Sequence, residues 1–544
     1  HEFNWMRTSS LNYKAAYSLI EGFDTFANYI FPNSGGTFSG IGGGEDQEAL
    51  EGYFMRANYN YDNKYYVTAS VRADGSSKFR YNDDRWGVFW SVGGAWRISA
   101  EPWAADATWL TDLKLRADYG VIGNQNGIGR YSGYQTWSYS ATGYTTPGSY
   151  SPAGWKLSQN GFTTPLTWEK KKTVDVGLDF RLWDRFYGTM DWYQTNTDDV
   201  AWNAPISYAM SGQTTLAANS ARMRTRGFEL ELGVDIIKTP NTLWSFNVNG
   251  STYYTTILEV PEGTGSAQLN GCWTAPADAW SIAGTGGTSN NITYLRGIGK
   301  PYYNMYIYKY GGVDPASGLP LIASTVSDEN ISKLQATSGN VYGDIVKGNT
   351  VYTTDYTLAT RQEFGDATPD FIGGFGTSLK WKNLDFSAQF AFQIGGKFLS
   401  VADANHYYRS DQTGYYHMSA DLKGNTFTAS NTGARYPMVI LDNPNSNGYT
   451  GGSTIGSWAY TDMALYSASY LNVKNLTLGY NFPQKWMDKI GIGGIRVYAS
   501  FDNFWMLTTH KGIDPRMSLV GGMDVGAMAY PYMRTCSLGV NVTF

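Results

Sequence analysis

In the segment "MRTCSLGVNVTF" (residues 533–544), apolar and polar side chains alternate from Cys536 to Phe544. The apolar set is Cys536, Leu538, Val540, Val542 and Phe544. Successive side chains of a strand point to opposite faces, so the segment predicts a strand with one apolar and one polar face. The alternation continues through Phe544, whereas the ends of soluble domains are usually held loosely. We therefore expect this strand to be paired along its whole length.

The same alternation recurs along the chain and predicts roughly fourteen strands of an all-β protein. They are expected near residues 8–20, 53–61, 64–73, 86–98, 111–121, 171–182, 186–197, 225–237, 243–256, 371–381, 384–396, 471–481, 495–505 and 532–544. In each strand, the alternate positions that are polar carry many charges, as a water-filled lumen would require, and the apolar positions between them would face lipid. The predicted lumen-lining residues are Asp112, Lys114, Arg116, Asp118, Asp175, Asp179, Glu229 and Glu231.

The connections between these strands alternate in length. Short ones at 62–63, 183–185, 238–242 and 382–383, and intermediate ones at 99–110 and 482–494, fall on one side. Long ones at 21–52, 122–170, 198–224, 257–370 and 397–470 fall on the other. This pattern predicts a transmembrane antiparallel β-barrel of the outer-membrane type, with short periplasmic turns and long extracellular loops. Region 257–370 is either one large extracellular excursion or contains an even number of further strands.

Composition agrees with this fold class and limits the function. The 544 residues include 63 glycines, 42 tyrosines, 25 phenylalanines and 19 tryptophans, which suits strands and turns. The net charge of -5 argues against a nucleic-acid partner. The two cysteines are too few for a disulfide scaffold. Aromatic residues near strand ends are expected to form interfacial girdles rather than a sandwich core; they are Trp183, Phe186, Tyr187, Trp244 and Trp381.

Several stretches resemble the SusC/RagA family of TonB-dependent outer-membrane transporters. They are "NYDNKYYVTASVRADGSSKFRYNDDRWGVFWSVGGAWRISAEPW" (60–103), "LTWEKKKTVDVGLDF" (166–180), "YGGVDPASGLPL" (310–321), "FGDATPDFIGGFGTSLKWKNLDFSAQF" (364–390), "YLNVKNLTLGYNFPQKW" (470–486) and "IRVYASFDNFWMLT" (495–508). These stretches occur in the family's order and span nearly the whole chain. Residues 1–544 are thus expected to be the C-terminal part of such a barrel, in the outer membrane of a Gram-negative bacterium.

The resemblance implies further parts and partners. A plugged barrel of this class has about 22 strands, so an N-terminal half of the same protein would supply a plug, a TonB box and the remaining strands. The family also works with the TonB complex and with a SusD/RagB-like surface lipoprotein that caps the barrel. Its cargo is an oligosaccharide or an oligopeptide. The resemblance further implies that Phe544 is recognised by the barrel-assembly machinery.

No motif in the chain predicts catalysis or a cofactor. The carboxylate pairs Glu229/Glu231 and Asp175/Asp179 are interpreted as lumen lining rather than as acid and base catalysts. The four histidines show no metal-ligand spacing, and no P-loop occurs. A loop Ca²⁺ site remains an alternative at the oxygen-rich segments 196–199 and 442–448, although neither has the distal glutamate of an EF-hand.

Aromatic residues in the long loops are the predicted ligand contacts, because flat rings stack on sugars and bury peptide side chains. They are Trp202, Trp273, Tyr407, Tyr408, Tyr415, Tyr416 and Trp458. Packing within the loops or against a partner protein is an equal alternative. We therefore predict an active importer without enzymatic activity. The alternatives are a passive porin and a secreted glycan-binding or glycan-cleaving β-protein, which would need a carboxylate pair in a cleft.

Overall fold

The structure is a computed structural model. It describes residues 1–13, 17–18, 29–30, 41–79, 85–131, 137–140, 143–146, 149–151, 154–157, 166–207, 215–266, 269–276, 293–400, 403, 419–438, 461–510, 512, 514–517 and 532–544. Within these segments, no helix has the length and apolar character needed to cross a membrane.

Fourteen strands form one antiparallel sheet in which every strand neighbours the next one along the chain. They are β1 (Glu2–Tyr13), β2 (Ile41–Tyr61), β3 (Tyr65–Ser76), β4 (Trp86–Arg97), β5 (Leu110–Asn124), β6 (Glu169–Leu182), β7 (Phe186–Pro205), β8 (Thr215–Thr239), β9 (Thr242–Glu259), β10 (Pro369–Trp381), β11 (Leu384–Gly395), β12 (Tyr470–Asn481), β13 (Gly494–Thr508) and β14 (Thr535–Thr543). The predicted all-β class and strand number are confirmed. In the described part of the chain, the sheet is open, with β1 and β14 at its two edges.

Several strands are longer than the alternation predicts. β2 begins at Ile41, and its glycines 42–44 pair with residues 10–12 of β1. The prediction of a first strand near 8–20 and a second beginning at 53 was wrong there. Glycines carry no side-chain pattern, so the pairing of their backbone groups leaves no trace in the alternation. β7 and β8 likewise remain paired from Phe186 to Pro205, which shortens the predicted loop 198–224 to residues 206–214.

The short connections lie along one edge of the sheet, which we call the short-turn edge; the opposite edge is the loop edge. In two of these turns both central residues have positive φ, namely Asp62 and Asn63 (each 53°) and Trp183 and Asp184 (50° and 53°). Positive φ at both positions is the geometry of type I′ hairpin turns, which match the twist of the strands. Neighbouring turns are also tied together, because the Lys382 N–H donates to the carbonyl of Asn241 at 2.8 Å. The predicted short turns are confirmed along this edge, but the predicted alternation of lengths holds only in part: the loop-edge connection 206–214 is shorter than the connection 98–109 at the short-turn edge.

The two faces of the sheet differ as the alternation predicts. The apolar face is open in the described structure, where Leu538 is 83% exposed and Val540 is 63% exposed. A sandwich would bury such side chains under a second sheet, so this surface requires an apolar solvent. The opposite, polar face carries the charged side chains of the same strands.

Exposed tryptophans gather at the short-turn edge, as an interfacial girdle requires. They are Trp103, Trp109, Trp183, Trp381 and Trp486. Phe186 and Trp244 share the parity of the apolar face. The girdle assignment of Tyr187 was wrong, because Tyr187 lies on the polar face, with its ring under the Arg181 guanidinium at 5.3 Å.

Region 257–370 contains additional strands, and apart from the ends of β9 and β10 none of its described strands joins the fourteen-stranded sheet. One four-stranded sheet comprises Trp273–Pro276, Thr293–Arg296, Asn304–Tyr308 and Arg361–Asp366. A second comprises Tyr310–Val313, Pro320–Thr325, Val341–Tyr342 and Thr350–Thr353, beside the helix α1 (Ile331–Ala336). The region is therefore an excursion at the loop edge that folds on itself.

Four two-stranded sheets, one further α-helix and several short 3-10 helices complete the described elements. The sheets pair Tyr17–Ser18 with Tyr29–Ile30, Trp137–Ser140 with Gly154–Leu157, Gly143–Thr146 with Ser149–Ser151, and Lys397–Leu399 with Leu465–Ser467. Helix α2 (Gln484–Ile490) lies in the connection between β12 and β13 at the short-turn edge.

Cysteine labelling tests this topology. In a chain whose Cys272 and Cys536 are replaced by serine, we expect Asn126→Cys and Ala429→Cys at the loop edge to react with an impermeant maleimide on intact cells. Asn241→Cys, in the turn between β8 and β9, should react only after the outer membrane is opened, because the sequence places short turns in the periplasm. If Asn241→Cys is labelled on intact cells and the two loop-edge variants are not, the assignment of the two edges to the two sides of the membrane would be reversed.

Candidate functional site

All eight predicted lumen-lining residues lie on the polar face. Register places Asp118 of β5 opposite Asp175 of β6, and Lys114 opposite Asp179. On β7 and β8, Asp191 lies opposite Glu229. Because each pair sits directly across neighbouring strands, the eight side chains form one continuous polar wall. That this wall encloses a lumen remains a prediction.

Arg116 is the centre of this wall. Its Nε donates to Asp179 at 3.0 Å, and its second terminal nitrogen donates to Asp179 at 3.0 Å and to Asp191 at 2.8 Å. One guanidinium thus bridges β5, β6 and β7. The approach is possible because Gly177, in the same face, carries no side chain; a Cβ there would stand 2.6 Å from a terminal nitrogen of the Arg116 guanidinium. The fork geometry of arginine suits such a bidentate bridge.

A groove of about 560 Å³ runs along the polar wall from β7 to β12. Its polar lining includes Thr189, Asp191, Glu229, Glu231, Asn249, Ser251, Gln393 and Tyr470. The groove presents carboxylate, amide and hydroxyl groups together. Such groups can hydrogen-bond either sugar hydroxyls or peptide groups, so the groove suits a polar, extended ligand without choosing between these two classes.

Trp202 lies in β7 rather than in a loop, because β7 remains paired with β8 there, opposite Ala218. Its ring meets that of Tyr302 edge to face at 6.5 Å, and the Arg296 guanidinium lies 3.9 Å from the Tyr302 ring centroid. Trp202 therefore takes part in packing against the excursion. Trp273 begins the strand that pairs with Thr293–Arg296. The predicted contacts Tyr407, Tyr408, Tyr415, Tyr416 and Trp458 lie outside the described residues.

The excursion and the connection between β11 and β12 fold together into one unit, which we call the outer lobe. Its buried core contains Tyr294, Met305, Ile307, Ile322, Ala367, Leu399, Leu422, Tyr436 and Ala464. The core draws on both segments, so the two longest predicted loops stabilise each other through burial of apolar surface. The outer lobe was not predicted as a unit.

A carboxylate joins these two segments. The Tyr310 N–H donates to Asp462 at 2.7 Å, across 152 positions of sequence, and the Tyr310 hydroxyl donates to the carbonyl of Arg435 at 3.0 Å. Burial raises the pKa of Asp462 above its ordinary value, although the Tyr310 N–H and the nearby Lys309 act in the opposite direction. Burial also raises the pKa of the Tyr310 hydroxyl. Burial of Asp462 thus favours its neutral form.

A second carboxylate, Asp314, orders the turn in "YGGVDPASGLPL". It accepts hydrogen bonds from the Ala316 N–H at 3.0 Å and from the hydroxyls of Ser317 and Tyr342. Burial alone would raise the pKa of Asp314, but these hydrogen bonds outweigh it and lower the pKa. The motif that carries the family resemblance here is therefore an architectural turn of the outer lobe.

Substitutions at Asp462 test the link between the two segments. Asp462→Ala removes the acceptor of the Tyr310 N–H and should lower the stability of the outer lobe by about 1–3 kcal/mol. Asp462→Asn keeps an acceptor oxygen without a charge. The raised pKa means that the wild-type lobe loses stability as pH rises through that pKa, and Asp462→Asn should abolish this loss.

The measurement is hydrogen exchange of the Tyr310 amide over a pH range that begins below the ordinary pKa of an aspartate and ends at mildly alkaline pH, corrected for intrinsic exchange rates. The exposed Asp421 in the same lobe provides the control, since Asp421→Ala should leave the exchange unchanged. Equal protection in Asp462→Ala and in the wild type would contradict this role.

Metal ligation finds no support in the described part of the chain, where no group of three or more His, Cys, Asp or Glu side chains could hold an ion. The candidate segment 196–199 lies within β7, not in a loop. Asp198 accepts from Lys172 at 2.7 Å and from Arg222 at 3.0 Å, so cations already occupy its oxygens. The segment 442–448 lies outside the described residues.

An open antiparallel sheet with one lipid-facing side, one charged side and a girdle at its short-turn edge defines the wall of an outer-membrane barrel. Residues 2–358, more than half of the chain, match the family described as "TonB dependent receptor-like, beta-barrel". The chain belongs to this family, and it is an outer-membrane protein, as the sequence predicts.

Individual relatives agree with this assignment. The chain is 27% identical over 510 residues to TonB-dependent receptor P3 of Formosa agariphila, covering 92% of this chain and 46% of that protein. It is 27% identical over 508 residues to TonB-dependent receptor SusC of Bacteroides thetaiotaomicron, covering 92% of this chain and 44% of that protein. The chain therefore spans just under half the length of these relatives.

Solved structures show the same fold. The RagAB peptide transporter matches with a TM-score of 0.69 at 24% identity, over 96% of this chain and 51% of that one. The RagAB peptide importer in its "open-open" state matches with a TM-score of 0.71 at 22% identity, over 100% of this chain and 54% of that one. The predicted resemblance to the SusC/RagA family is confirmed.

Proposed function

We propose that the chain is the C-terminal part of the barrel of a TonB-dependent importer that takes up oligosaccharides or oligopeptides. The observation that carries the proposal is the single sheet with a lipid-facing side and a charged wall, in a chain of the TonB-dependent receptor-like family. The groove on that wall offers hydrogen-bonding groups along β7 to β12, which suits an extended polar cargo.

The open edges support a larger barrel. In lipid, each unpaired backbone group costs several kcal/mol, so β1 and β14 need further strands as partners. Relatives that are about twice as long as this chain have room for such strands and for a plug. We infer that an N-terminal part of the same protein supplies both, in a barrel of about 22 strands.

We infer the energy source and the partners from the family resemblance. TonB, energised by the proton gradient of the inner membrane, would move the plug, and a SusD/RagB-like lipoprotein would deliver cargo at the loop edge. Conduction through a plugged barrel makes no covalent bond, so no catalytic residue is assigned. A passive porin of similar architecture would work without TonB, and this difference separates the two functions.

Uptake by whole cells tests the proposal. Cells with the full-length protein should accumulate labelled oligosaccharides or labelled oligopeptides, and deletion of either this protein or TonB should abolish that uptake. Uptake that persists without TonB would establish the porin instead. Failure of both cargo classes, with the protein correctly assembled, would overturn the proposed cargo.

The groove offers a sharper test of cargo. Glu229→Gln combined with Glu231→Gln removes two negative charges from the wall and should reduce uptake of cationic peptides more than that of neutral glycans. The exposed Glu262, at the loop edge and away from the groove, provides the matched control Glu262→Gln. Equal effects of the groove variant and the control would mean that cargo does not contact the groove.

A further inference from the structure

The apolar face changes its chemistry along strands β6 to β9. One cross-strand row consists of Leu178, Met190 and Leu230, and the next towards the loop edge consists of Val176, Trp192 and Phe228. Two rows further, Lys172, Asn196 and Arg224 occupy the same outward positions. The register is continuous across these rows, so all of these side chains lie on the same face of the sheet. The face that contacts lipid is therefore apolar near the short-turn edge and charged nearer the loop edge.

The height of this change matches the outer boundary of the membrane. From Leu182 near the short-turn edge to Val174, the outward positions of β6 are apolar. These nine residues cover about 26 Å along the strand at roughly 3.3 Å per residue. A strand tilt of about 35–45° reduces this to about 20 Å, close to the apolar band of outer-membrane barrels, which is about 25 Å tall. The charged rows therefore lie at the head-group level of the outer leaflet.

Cations dominate these rows. Five of them, which we call the cationic band, are Lys170, Lys172, Arg222, Arg224 and Arg226. The described carboxylates beside them are Asp198, Asp199 and Glu259, which pair with Lys170, Lys172 and Arg222. The band therefore retains an excess of positive charge on the outside of the sheet.

Arg224 and Arg226 carry this excess. Arg224 donates through Nε to the amide oxygen of Asn196 at 3.1 Å, and Arg226 donates through Nε to that of Gln194 at 2.8 Å. These neutral amides fix the two guanidinium groups without neutralising them. Among the described residues, neither arginine has a carboxylate within ion-pair distance. Their terminal N–H groups can therefore serve an external anion.

An exposed apolar surface lies directly below the two arginines. Trp192 is 43% exposed, Phe228 is 39% exposed, and Tyr254, which lies opposite Arg226, is 49% exposed. A molecule that binds here would meet guanidinium groups at its polar end and rings along its apolar part. That combination fits an amphiphile and does not fit a free ion.

We propose that the cationic band, through Arg224 and Arg226, binds a phosphate group of an outer-leaflet glycolipid whose acyl chains lie against Trp192 and Phe228. Arginine matches phosphate geometry through paired N–H donors, which distinguishes it from a lysine used as a simple point charge. The binding site rests on the register of β6 to β9 and on the outer-membrane location, and not on the identity of the imported cargo.

The test uses the full-length protein purified in detergent and, as the probe, fluorescent monophosphoryl lipid A with its dephosphorylated form for comparison. The wild type should bind the phosphorylated lipid more tightly than the dephosphorylated one. Arg224→Ala combined with Arg226→Ala should weaken binding of the phosphorylated lipid about tenfold or more, since two charge-assisted contacts are lost. Binding of the dephosphorylated lipid should be the same in both proteins.

Matched controls separate the site from a general effect of charge. Lys485→Ala combined with Lys489→Ala removes two exposed cations from α2 at the short-turn edge and should leave lipid binding unchanged. Heat-modifiable mobility verifies that each variant is folded. Arg224→Lys combined with Arg226→Lys should recover only part of the affinity, because the fork is lost while the charge remains.

Three results would overturn the proposal. The first is equal affinity of the wild type and the alanine pair for the phosphorylated lipid. The second is competition by inorganic phosphate at the concentration of the lipid, which would show a free-anion site. The third is a change of oligomeric state in the alanine pair with unchanged lipid binding, which would assign the band to a protein interface.

Discussion

Arginine in place of Leu178 is expected to cost the assembled protein about 2–4 kcal/mol, the penalty for a cation on the lipid face near the bilayer midplane. Leu178 lies on the apolar face, between Leu115 of β5 and Met190 of β7. The new guanidinium would have no carboxylate partner in these neighbouring positions and would have to draw water or head groups into the apolar band. Chemical unfolding in liposomes measures the loss.

Asp175→Arg is the matched control, three positions earlier in the same strand and on the polar face. There the new cation would lie opposite Asp118 and beside the row that holds Asp191 and Glu229. We expect little loss of stability, because the surrounding carboxylates compensate the charge. Equal losses in the two variants would mean that neither face contacts lipid, and the assignment of the apolar face would then be wrong.

A chain that stops at Asn541 is expected to assemble severalfold less well in the outer membrane. The truncation removes the register pairs Ile495–Val542 and Gly494–Thr543, which attach this end of β14 to β13. It also removes Phe544, which is 95% exposed and which the family resemblance assigns to recognition by the assembly machinery. Backbone groups left unpaired at the membrane are costly, so the loss should exceed that of an ordinary surface truncation.

Phe544→Ala should have a smaller effect than the truncation, since it leaves the backbone pairs of β14 intact. Thr543→Ala, on the polar parity, is the control and should assemble like the wild type. Heat-modifiable mobility of outer-membrane fractions measures assembly, and an immunoblot of whole cells measures synthesis. Normal assembly of the truncated chain would show that the end of β14 has no role in closing a barrel.

Local alternation accounts for the parts of the fold that could be predicted. A period of two in side-chain character can be recognised from residues that are neighbours in the sequence. The strands, their two faces and the eight wall residues such as Arg116 could therefore be assigned without knowledge of how the strands pair. The pattern failed where side chains carry no signal. Glycines 42–44 are an example, since their pairing with β1 depends on backbone groups alone.

Contacts between distant residues could not be predicted in this way. Nothing near Arg116 in the sequence identifies Asp179 and Asp191 as its partners, because their meeting depends on the register of two hairpins. The cationic band likewise appears only when β6 and β8 are placed in register through β7. Register is set by turn geometry and by the sum of many cross-strand contacts, none of which a single strand contains.

The sequence by itself determined that this protein is an outer-membrane β-barrel wall, with a lipid side, a charged side and a defined order of turns and loops. Only the tertiary structure decided that the two longest connections share one core and that Tyr310 meets Asp462 across 152 positions. The physical reason is range. Alternation is imposed residue by residue along an extended strand, whereas the outer lobe is stabilised by burial of side chains that become neighbours only after the strands have placed their connections together.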